Sequence, residues 1–370
     1  MEFDYVIIGG GSAGCVMASR LSEDPTISVC LLEFGGDGKD LAVRVPAGVI
    51  MMMRDKPVKI NNWAFNTVPQ TQLNNRIGYQ PRGQCLGGSS AINAMVYTRG
   101  SAKDYNRWAD NGCEGWGFDD MLPFFKKAEN NIRGGDEHHG DSGPLHVSEL
   151  LSPRPISKAF VDACVANGLD ANDDFNGTKQ DGAGLYQVTH FHGDKQGQRC
   201  SAAAAYLHPI EERPNLTIIT GAMVSKVIIE DKRATGVAYV KHGEEYTVSA
   251  LEEVLLCAGA FGSPKTLMLS GIGPKEHLEQ HGIEVIQESP DVGGNLQDHL
   301  DVVFDYKVNT KDIIGIGLST VAQMTSALGQ WRKDGTGILS TNYAEGGAFY
   351  SATDKTPKDW PDTQLHFVIS

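Results

Sequence analysis

The chain has 370 residues, of which 41% are hydrophobic and 21% charged, and its formal net charge is −14. At about 150 residues per domain, this predicts a globular protein of two or three domains. The acidic balance excludes nucleic acid as an expected partner, because phosphate binding requires patches of lysine and arginine. No apolar run reaches the ~18 residues of a transmembrane helix, and no signal-peptide pattern is present, so a cytoplasmic location is predicted.

Residues 3–33 carry the pattern of a strand, a helix and a second strand. The run FDYVII (3–8) is apolar and rich in β-branched residues, and ISVCLLE (27–33) is similar. Between them, residues 13–23 place small and apolar side chains at helical spacing. Such a βαβ unit requires a parallel sheet covered by helices.

The turn after the first strand reads VIIGGGSAG and fits two chemistries. Gly9-x-Gly11-x-x-Gly14 matches the dinucleotide-binding fingerprint, in which the helix N-terminus receives a pyrophosphate. The overlapping Gly-x-Ser12-x-Gly matches the nucleophile elbow of serine hydrolases. A hydrolase elbow follows several strands, whereas this turn follows the first one, which favours the dinucleotide.

An acidic residue at the end of the second strand strengthens this interpretation. A dinucleotide site needs an acid about 20 residues after the glycines to bind ribose hydroxyls. Glu33 lies at that distance and ends the second strand. Ser12 is then predicted to be a small residue at a crowded turn, and a serine hydrolase is kept as the third hypothesis.

The middle of the chain alternates irregular stretches with short regular ones. Residues 35–80 and residues 130–200 lack a strong hydrophobic periodicity. This predicts that both stretches are long excursions of the chain over the surface. Residues 81–100 are glycine-rich and then apolar, which predicts a helix in their second half. The cysteines are scattered without a CxxC pair, which predicts reduced thiols rather than disulfides or zinc ligands.

Several strands are predicted after residue 215. The stretches 216–220, 223–231 and 234–242 predict successive strands of a meander, and 252–260 predicts a buried strand followed by a glycine turn. Residues 263–271 predict a helix with proline at its start and glycine at its end. The last residues, 363–370, have the pattern of the middle of a strand, which favours a truncated chain.

Five segments carry a resemblance to a known family. RGQCLGGSSAINAMVYTRG (82–100) resembles the first signature of the glucose–methanol–choline (GMC) oxidoreductases, which are FAD enzymes, and GAFGSPKTLMLSGIGP (259–274) resembles the second. DVGGNLQDH (291–299), NNWAFNTVPQ (61–70) and GQRCSAAAAYL (197–207) are also similar to that family. The branch most resembled is that of bacterial choline-dehydrogenase-like enzymes, which includes membrane-associated dehydrogenases of aliphatic alcohols.

The resemblance implies a fold and a domain division. The fold class is α/β, or α+β overall, with a Rossmann-like FAD-binding domain that combines a mixed or parallel sheet with a β-meander. This domain is expected over residues 1–300, interrupted by the excursions 35–80 and 130–200. Residues 301–370 are expected to begin an incomplete α+β substrate-binding domain.

The resemblance also implies cofactor contacts. The glycine turn and Glu33 would hold the ADP half of FAD, Val224 would meet the adenine, and residues 85–96 would pass under the pyrophosphate and isoalloxazine. The residues expected to bind the cofactor are Gly9, Gly11, Ser12, Ala13, Gly14, Glu33, Arg82, Cys85, Gly88, Ser89, Asn93, Ala94, Met95, Val96, Val224, Ala258, Gly259, Asn295 and Asp298. The family position for covalent attachment is occupied by Ile92, which predicts non-covalent FAD.

The implied activity is oxidation of the CH–OH group of primary alcohols. A histidine would take the hydroxyl proton, and the hydride would pass to flavin N5, giving an aldehyde. The family's catalytic histidine pair is expected beyond Ser370, so no catalytic residue is assigned. A dehydrogenase using a quinone-like acceptor is favoured over an oxidase using O₂, and VIMMM (49–53) favours aliphatic or aromatic alcohols over sugars.

Alternatives to this activity stay open. One is a non-redox lyase of the hydroxynitrile-lyase type on the same fold, and another is an inactive FAD-binding fragment. Peripheral association with the inner membrane is a further expectation from the branch. No metal site is predicted, since His138 and His139 lie in a polar loop without a third ligand, as do His190 and His192.

Overall fold

A computed structural model describes residues 1–54, 56, 58–310, 313–314, 318–353, 357 and 359–369, with residues 318–325 described by backbone alone. The chain divides into two compact units. The first unit comprises residues 1–40, 52–92 and 201–307, and the second comprises residues 41–51, 93–200 and 308–370. The predicted domain division at residue 300 stays a prediction.

The helices and strands of the described residues are numbered in chain order. The strands are β1 (Glu2–Ile8), β2 (Val29–Leu32), β3 (Phe65–Asn66), β4 (Tyr79–Gln80), β5 (Glu129–Asn131), β6 (Leu145–Val147), β7 (Gly182–Leu185), β8 (Leu216–Ile219), β9 (Met223–Glu230), β10 (Arg233–Lys241), β11 (Glu244–Leu256), β12 (Ile272–Gly273), β13 (Gln287–Glu288), β14 (Ala344–Tyr350) and β15 (Thr363–Val368). The α-helices are α1 (Ser12–Leu21), α2 (Leu41–Arg44), α3 (Val49–Met52), α4 (Ala102–Asp110), α5 (Phe118–Ala128), α6 (Pro155–Ala166), α7 (Gly259–Leu269), α8 (Lys275–Gln280) and α9 (Leu318–Asp334).

The first unit is built on a six-stranded mixed sheet in the order β8-β2-β1-β11-β10-β9. The strands β8, β2, β1 and β11 are parallel, and β11, β10 and β9 form an antiparallel meander. Central strands of a parallel sheet are covered on both faces, which explains why all four residues of β2 are buried. The predicted α/β fold class with a βαβ unit and a meander is confirmed.

Three predicted elements differ from the structure. Residues 92–100 are not helical: a 3₁₀ turn ends at Ala91, and Met95 has a left-handed backbone with φ of 58°. Strand β8 pairs with β2 rather than joining the meander. Helix α7 begins at Gly259, so Pro264 lies inside the helix instead of at its start.

The second unit contains smaller sheets. Strands β15, β14 and β7 form an antiparallel three-stranded sheet, and β5 and β6 form a parallel pair. An apolar cluster gathers Val45, Val49, Trp331, Leu339 and Tyr343. The predicted strand at 363–370 is confirmed for Thr363–Val368, and Ser370 lies outside the described residues.

A buried charged cluster lies in the second unit. Arg99 Nη2 is 2.6 Å from Glu129 Oε2, and the ring nitrogens of His139 lie 2.9 Å from Glu129 Oε1 and 3.0 Å from Asp174 Oδ2. Burial alone lowers the pKa of His139, but hydrogen bonds to Asp174 and Glu129 outweigh it and raise the pKa to about 9. The ring is therefore a cation at neutral pH, held between two carboxylates.

The His139 cluster predicts a loss of stability at alkaline pH. Because the folded pKa of about 9 exceeds the ordinary 6.5, the contribution is complete below pH 6.5 and is lost as pH rises through 9. We expect the free energy of unfolding, measured in urea, to fall by at most about 3 kcal/mol over this window. The variant His139→Gln should remove the dependence, whereas exposed His281→Gln should retain it; parallel curves for parent and His139→Gln would contradict the assignment.

Membrane-spanning helices and metal-binding clusters are both absent from the described residues. None of the helices found there combines the length and apolar character that crossing a membrane requires. The same part of the chain contains no group of three or more histidine, cysteine, aspartate or glutamate side chains arranged to hold a metal ion.

Candidate cofactor site

A cavity of about 480 Å³ opens in the first unit, where β1, β2 and β11 end. Ile8, Leu32 and Leu256 are the last residues of these three strands, and all three line the cavity. Ligands of open α/β sheets bind in the crevice outside the carboxyl ends of the strands. The topology of the sheet therefore positions this cavity as the candidate site, and its volume is in the range of ligand pockets.

Many of the residues predicted from the sequence line this cavity. They are Gly9, Gly11, Ser12, Ala13, Glu33, Arg82, Gly88, Ser89, Val224, Ala258 and Gly259. These residues come from five separate stretches of the chain, and the fold of the first unit brings them together. Their contact with a cofactor stays a prediction.

The glycines of the turn are required by close approach of backbone to backbone. Gly9 has φ of 97°, and a Cβ there would lie 2.7 Å from the carbonyl oxygen of Cys257. A Cβ on Gly14 would overlap the carbonyl oxygen of Gly9. Gly88 has φ of 53°, and its Cβ would lie 2.7 Å from Gly11 Cα. Two glycine-rich segments far apart in the sequence thus pack directly against each other.

Two helix N-termini meet at the cavity. Helix α1 has N-cap Gly11 and helix α7 has N-cap Ala258, and both residues line the cavity. Neither helix has a side-chain cap or an acidic residue in its first turn. The positive ends of both helix dipoles are therefore left to act on an anion in the cavity.

Glu33 is fixed by the backbone around it. Its Oε2 accepts a hydrogen bond from Gly10 N at 2.9 Å, and its Oε1 accepts one from Gly35 N at 2.7 Å. Burial raises the pKa of Glu33, and the hydrogen bonds from Gly35 and Gly10 oppose that rise. A carboxylate has about four acceptor positions, so each oxygen can still accept a hydroxyl from a ligand.

An aromatic wall along the cavity was not predicted. Phe34 stacks on Trp63 at 5.1 Å between ring centroids, Trp63 stacks on Phe65 at 5.6 Å, and Phe65 meets the edge of Phe261 at 5.7 Å. All four rings line the cavity. The segments 61–70 and 259–274 carry part of the family resemblance, but the resemblance implies no role for these rings.

Two cations accompany the aromatic wall. The guanidinium of Arg82 lies 4.8 Å from the centroid of Phe261, and Lys265 Nζ lies 5.9 Å from that of Trp63. Both residues line the cavity. Arg82 was predicted as a cofactor-binding residue, whereas Lys265 was not.

Four predicted residues of the first unit do not line the cavity. Gly14 lies inside helix α1, and Cys85 is fully buried. Asn295 and Asp298 lie in an exposed stretch, where Asp298 Oδ2 accepts a hydrogen bond from Gln80 Nε2 at 3.3 Å. The prediction that Asn295 and Asp298 lie near the flavin stays a prediction.

The remaining predicted residues, Asn93, Ala94, Met95 and Val96, belong to the second unit. They form a turn in which Asn93 Oδ1 accepts a hydrogen bond from Met95 N at 3.1 Å. Val96 forms an isolated bridge with Val188.

One serine and three histidines bear on chemistry other than cofactor binding. In the described part of the chain, Ser12 Oγ forms no hydrogen bond with a histidine, which gives no support to a serine nucleophile. His190 is fully buried, and burial followed by the charge of Arg199 lowers its pKa to about 3. His277 and His281 are exposed on and beside α8, with ring centroids 4.8 Å apart.

The donors and acceptors of the cavity fit a dinucleotide. Helix N-termini and glycine amides suit a pyrophosphate, and a fixed carboxylate suits ribose hydroxyls. The side chains of the aromatic wall offer an apolar surface to a heterocycle. The chemistry of this donor set is that expected for the ADP portion of such a cofactor.

Comparisons with known proteins agree with this geometry. A family model described as GMC oxidoreductase matches residues 3–301. The chain is 43% identical over 369 residues to an alcohol dehydrogenase [acceptor] of Pseudomonas putida, covering 99% of this chain and 65% of that protein. It is 42% identical to an oxygen-dependent choline dehydrogenase of Rhizobium rhizogenes, covering 100% of this chain and 65% of that protein. The chain thus spans about 65% of the length of these relatives.

A solved structure shows a related fold. Pyridoxine 4-oxidase from Mesorbium loti superposes with a TM-score of 0.81 at 30% identity, covering 99% of this chain and 66% of that one. A formate oxidase superposes with a TM-score of 0.80 at 26% identity, covering 94% of this chain and 61% of that one.

Proposed function

The chain belongs to the GMC oxidoreductase family, and from this premise we propose that it binds FAD and forms part of an oxidoreductase acting on the CH–OH group of alcohols. The observation that carries the proposal is the cavity at the carboxyl ends of β1, β2 and β11, with two uncapped helix N-termini and the fixed carboxylate of Glu33. The names of the two relatives described above, an alcohol dehydrogenase and a choline dehydrogenase, support the same class of reaction.

The residues proposed to hold the ADP half are those of the cavity. The amides at the start of α1 and α7 bind the pyrophosphate, and Glu33 accepts hydrogen bonds from ribose hydroxyls. The closely packed glycines let the backbone segments approach each other and so keep these amides in place. When bound, FAD supplies a hydride acceptor for the carbon that carries the hydroxyl.

Some parts of the proposal go beyond what membership of the family implies. We favour a dehydrogenase with a quinone-like acceptor over an oxidase using O₂, and a primary alcohol as the substrate. We also favour non-covalent FAD, because the side chain of Ile92 carries no nucleophile. The base that takes the hydroxyl proton is proposed to be a histidine outside these 370 residues. A cytoplasmic location with peripheral membrane association stays a prediction.

The exposure of residues 49–53 bears on the choice of substrate. The segment 49–53 was predicted to favour apolar alcohols, yet Val49 is 6% and Met52 0% exposed. These two side chains belong to the interior of the protein. Met51 and Met53, which are 55% and 41% exposed, are the members of this segment left for a substrate.

The first experiment is uptake of FAD by the purified chain. We expect the chain, after equilibration with FAD and removal of free cofactor, to retain the visible flavin bands at one FAD per chain. Acid precipitation should release the flavin into the supernatant, as non-covalent binding requires. A chain that retains no flavin contradicts the proposal, and flavin that stays with the precipitate contradicts non-covalent attachment.

The second part of the experiment addresses the reaction. A longer chain of the relatives' length, loaded with FAD and mixed anaerobically with primary alcohols, is expected to lose the visible flavin bands as the alcohol is oxidised. Bands that persist in the loaded longer chain with every alcohol would contradict the redox proposal while leaving FAD binding intact.

A further inference from the structure

Lys265 of helix α7 lines the cavity of the first unit, and all the other lining residues belong to the same unit. It lies six residues after Gly259, where the helix begins. Long side chains of a helix point back toward its N-terminus. The ammonium of Lys265 therefore reaches toward the end of α7 that lies at the cavity, and its Nζ is 5.9 Å from the ring centroid of Trp63.

This place in the helix is electrostatically unfavourable for a cation. The N-terminus of a helix carries a positive partial charge, and lysine stabilises a helix near its C-terminus instead. Helix α7 begins without a side-chain cap, and its sequence GAFGSPKTLML contains no acidic residue. The positive charge of the ammonium and that of the helix end are therefore added together without an anion in the helix to offset them.

The ammonium of Lys265 also lacks an anionic partner elsewhere in the described part of the chain. Its interaction there is with the ring of Trp63, and it forms neither an ion pair nor a hydrogen bond. Among the described residues that line the cavity, Glu33 is the single acid. Both oxygens of that carboxylate accept hydrogen bonds from backbone amides. The N–H donors of Lys265 are thus available to a ligand.

Arg82, the other cation among the described lining residues, is held differently. Its Nη1 donates to Pro81 O at 2.7 Å, and its Nη2 donates to Gln80 Oε1 at 3.1 Å. Neutral oxygens of the protein thus orient this guanidinium. Lysine carries a compact charge with three donors on a flexible stem, so Lys265 can follow the charged group of a ligand.

We propose that Lys265 binds the diphosphate of an adenine nucleotide in this cavity, and that through it the cavity selects ligands by their phosphate charge. The inference rests on the proposed function, because a diphosphate enters the cavity only if the chain binds FAD. Free ADP carries the same diphosphate, so it should bind without a flavin and compete with FAD. Lys265 touches no reacting atom in this proposal and contributes to affinity alone.

The first measurement compares ligands with and without phosphate charge. The chain freed of flavin is titrated with ADP and with adenosine in a calorimeter, and with FAD by quenching of flavin fluorescence. We expect Lys265→Gln to bind ADP and FAD roughly fivefold more weakly than the parent, the upper end for an exposed ion pair. Adenosine, which has no phosphate, should bind both proteins equally, and Lys265→Arg should keep the affinity for ADP.

The matched control is Lys226→Gln. Lys226 is an exposed residue of β9 in the same unit and does not line the cavity. Its substitution removes the same charge from the protein, so it tests whether net charge alone changes the affinity. This variant should bind ADP, FAD and adenosine as the parent does.

The second measurement separates charge pairing from a structural role of the side chain. Salt screens an exposed ion pair, and at 1 M the Debye length is about 3 Å. We therefore expect the FAD dissociation constants of Lys265→Gln and the parent to converge as NaCl is raised toward that concentration. In urea, the flavin-free Lys265→Gln chain should be no less stable than the parent, because a cation has left the positive end of α7.

The outcomes separate this inference from the function beneath it. Equal affinities of the parent and Lys265→Gln for FAD and ADP overturn the role of Lys265 and leave FAD binding intact. A loss that is as large for adenosine as for ADP, or that persists in 1 M NaCl, overturns the pairing with the diphosphate. A parent chain that binds FAD but not ADP overturns selection by phosphate charge. Absence of FAD from the parent chain overturns the proposed function, and this inference with it.

Discussion

Gly14→Ala is expected to abolish FAD uptake and to lower the free energy of unfolding by about 3 kcal/mol. The added methyl would overlap the carbonyl oxygen of Gly9, which is backbone and cannot turn aside. Helix α1 would have to move away from β1, and its N-terminal amides would leave the cavity. The measurements are FAD retention after removal of free cofactor and urea unfolding of the chain without cofactor.

The matched control for this substitution is Gly36→Ala. Gly36 also lies in the first unit, but a Cβ there would meet no atom within 4 Å, and its φ lies outside the left-handed region. This variant should bind FAD as the parent does. If Gly14→Ala retains FAD and stability as well as Gly36→Ala does, the close approach of helix and strand is not what the turn requires.

Glu33→Gln is expected to weaken FAD binding by roughly 10- to 100-fold, because a hydrogen bond to a charged group contributes about 1.5–3 kcal/mol. Both carboxylate oxygens accept from backbone amides, those of Gly10 and Gly35. The amide nitrogen of glutamine is a donor, so it would face one of these N–H groups and leave it without an acceptor. The dissociation constant, measured by quenching of flavin fluorescence, tests this expectation.

The control variant is Glu23→Gln. The Glu23 side chain is 49% exposed and pairs with Arg20 on the surface of the same unit, so its loss should leave the affinity for FAD unchanged. The chain without cofactor should also lose about 1–3 kcal/mol of stability in Glu33→Gln, since one buried donor is unsatisfied. Equal affinities in the two variants would remove Glu33 from the binding site.

The parts of the fold that the sequence predicts well are those set by local pattern. Strands β1 and β2 alternate with helix α1 over only about 30 residues, and the glycine turn between them is dictated by sterics within that segment. The role of Glu33 is predicted from its spacing within the same strand–helix–strand unit. Each of these predictions depends on residues close together in the chain, where spacing alone carries the information.

The wrong predictions concern places where residues far apart in the sequence determine the local structure. Residues 92–100 have an apolar composition that suits a helix, but Arg199, Thr189 and Asn342 bind the carbonyl groups that a helix would use internally. The left-handed Met95 then ends any helical turn. No local pattern reports donors that lie about 100 and 250 residues further along the chain.

The buried cluster around His139 was missed for the same reason. The sequence shows His138 and His139 in a polar loop, which is typical of solvated residues. The fold instead brings Glu129, Asp174 and Arg99 to that loop, so His139 is only 3% exposed. The aromatic wall is a similar case, since Phe34 and Phe261 meet Trp63 and Phe65 only after the first unit has folded.

The order of strands in the six-stranded sheet has a consequence for synthesis on the ribosome. Glu2 of β1 is paired with Ser249 of β11, so β1 gains that neighbour only after some 240 more residues have been translated. At 5–20 residues per second this delay is roughly 12–50 s. The meander β9–β11 can close locally, whereas the edge of nascent β1 that will face β11 stays unpaired during this delay and is open to pairing with strands of other chains.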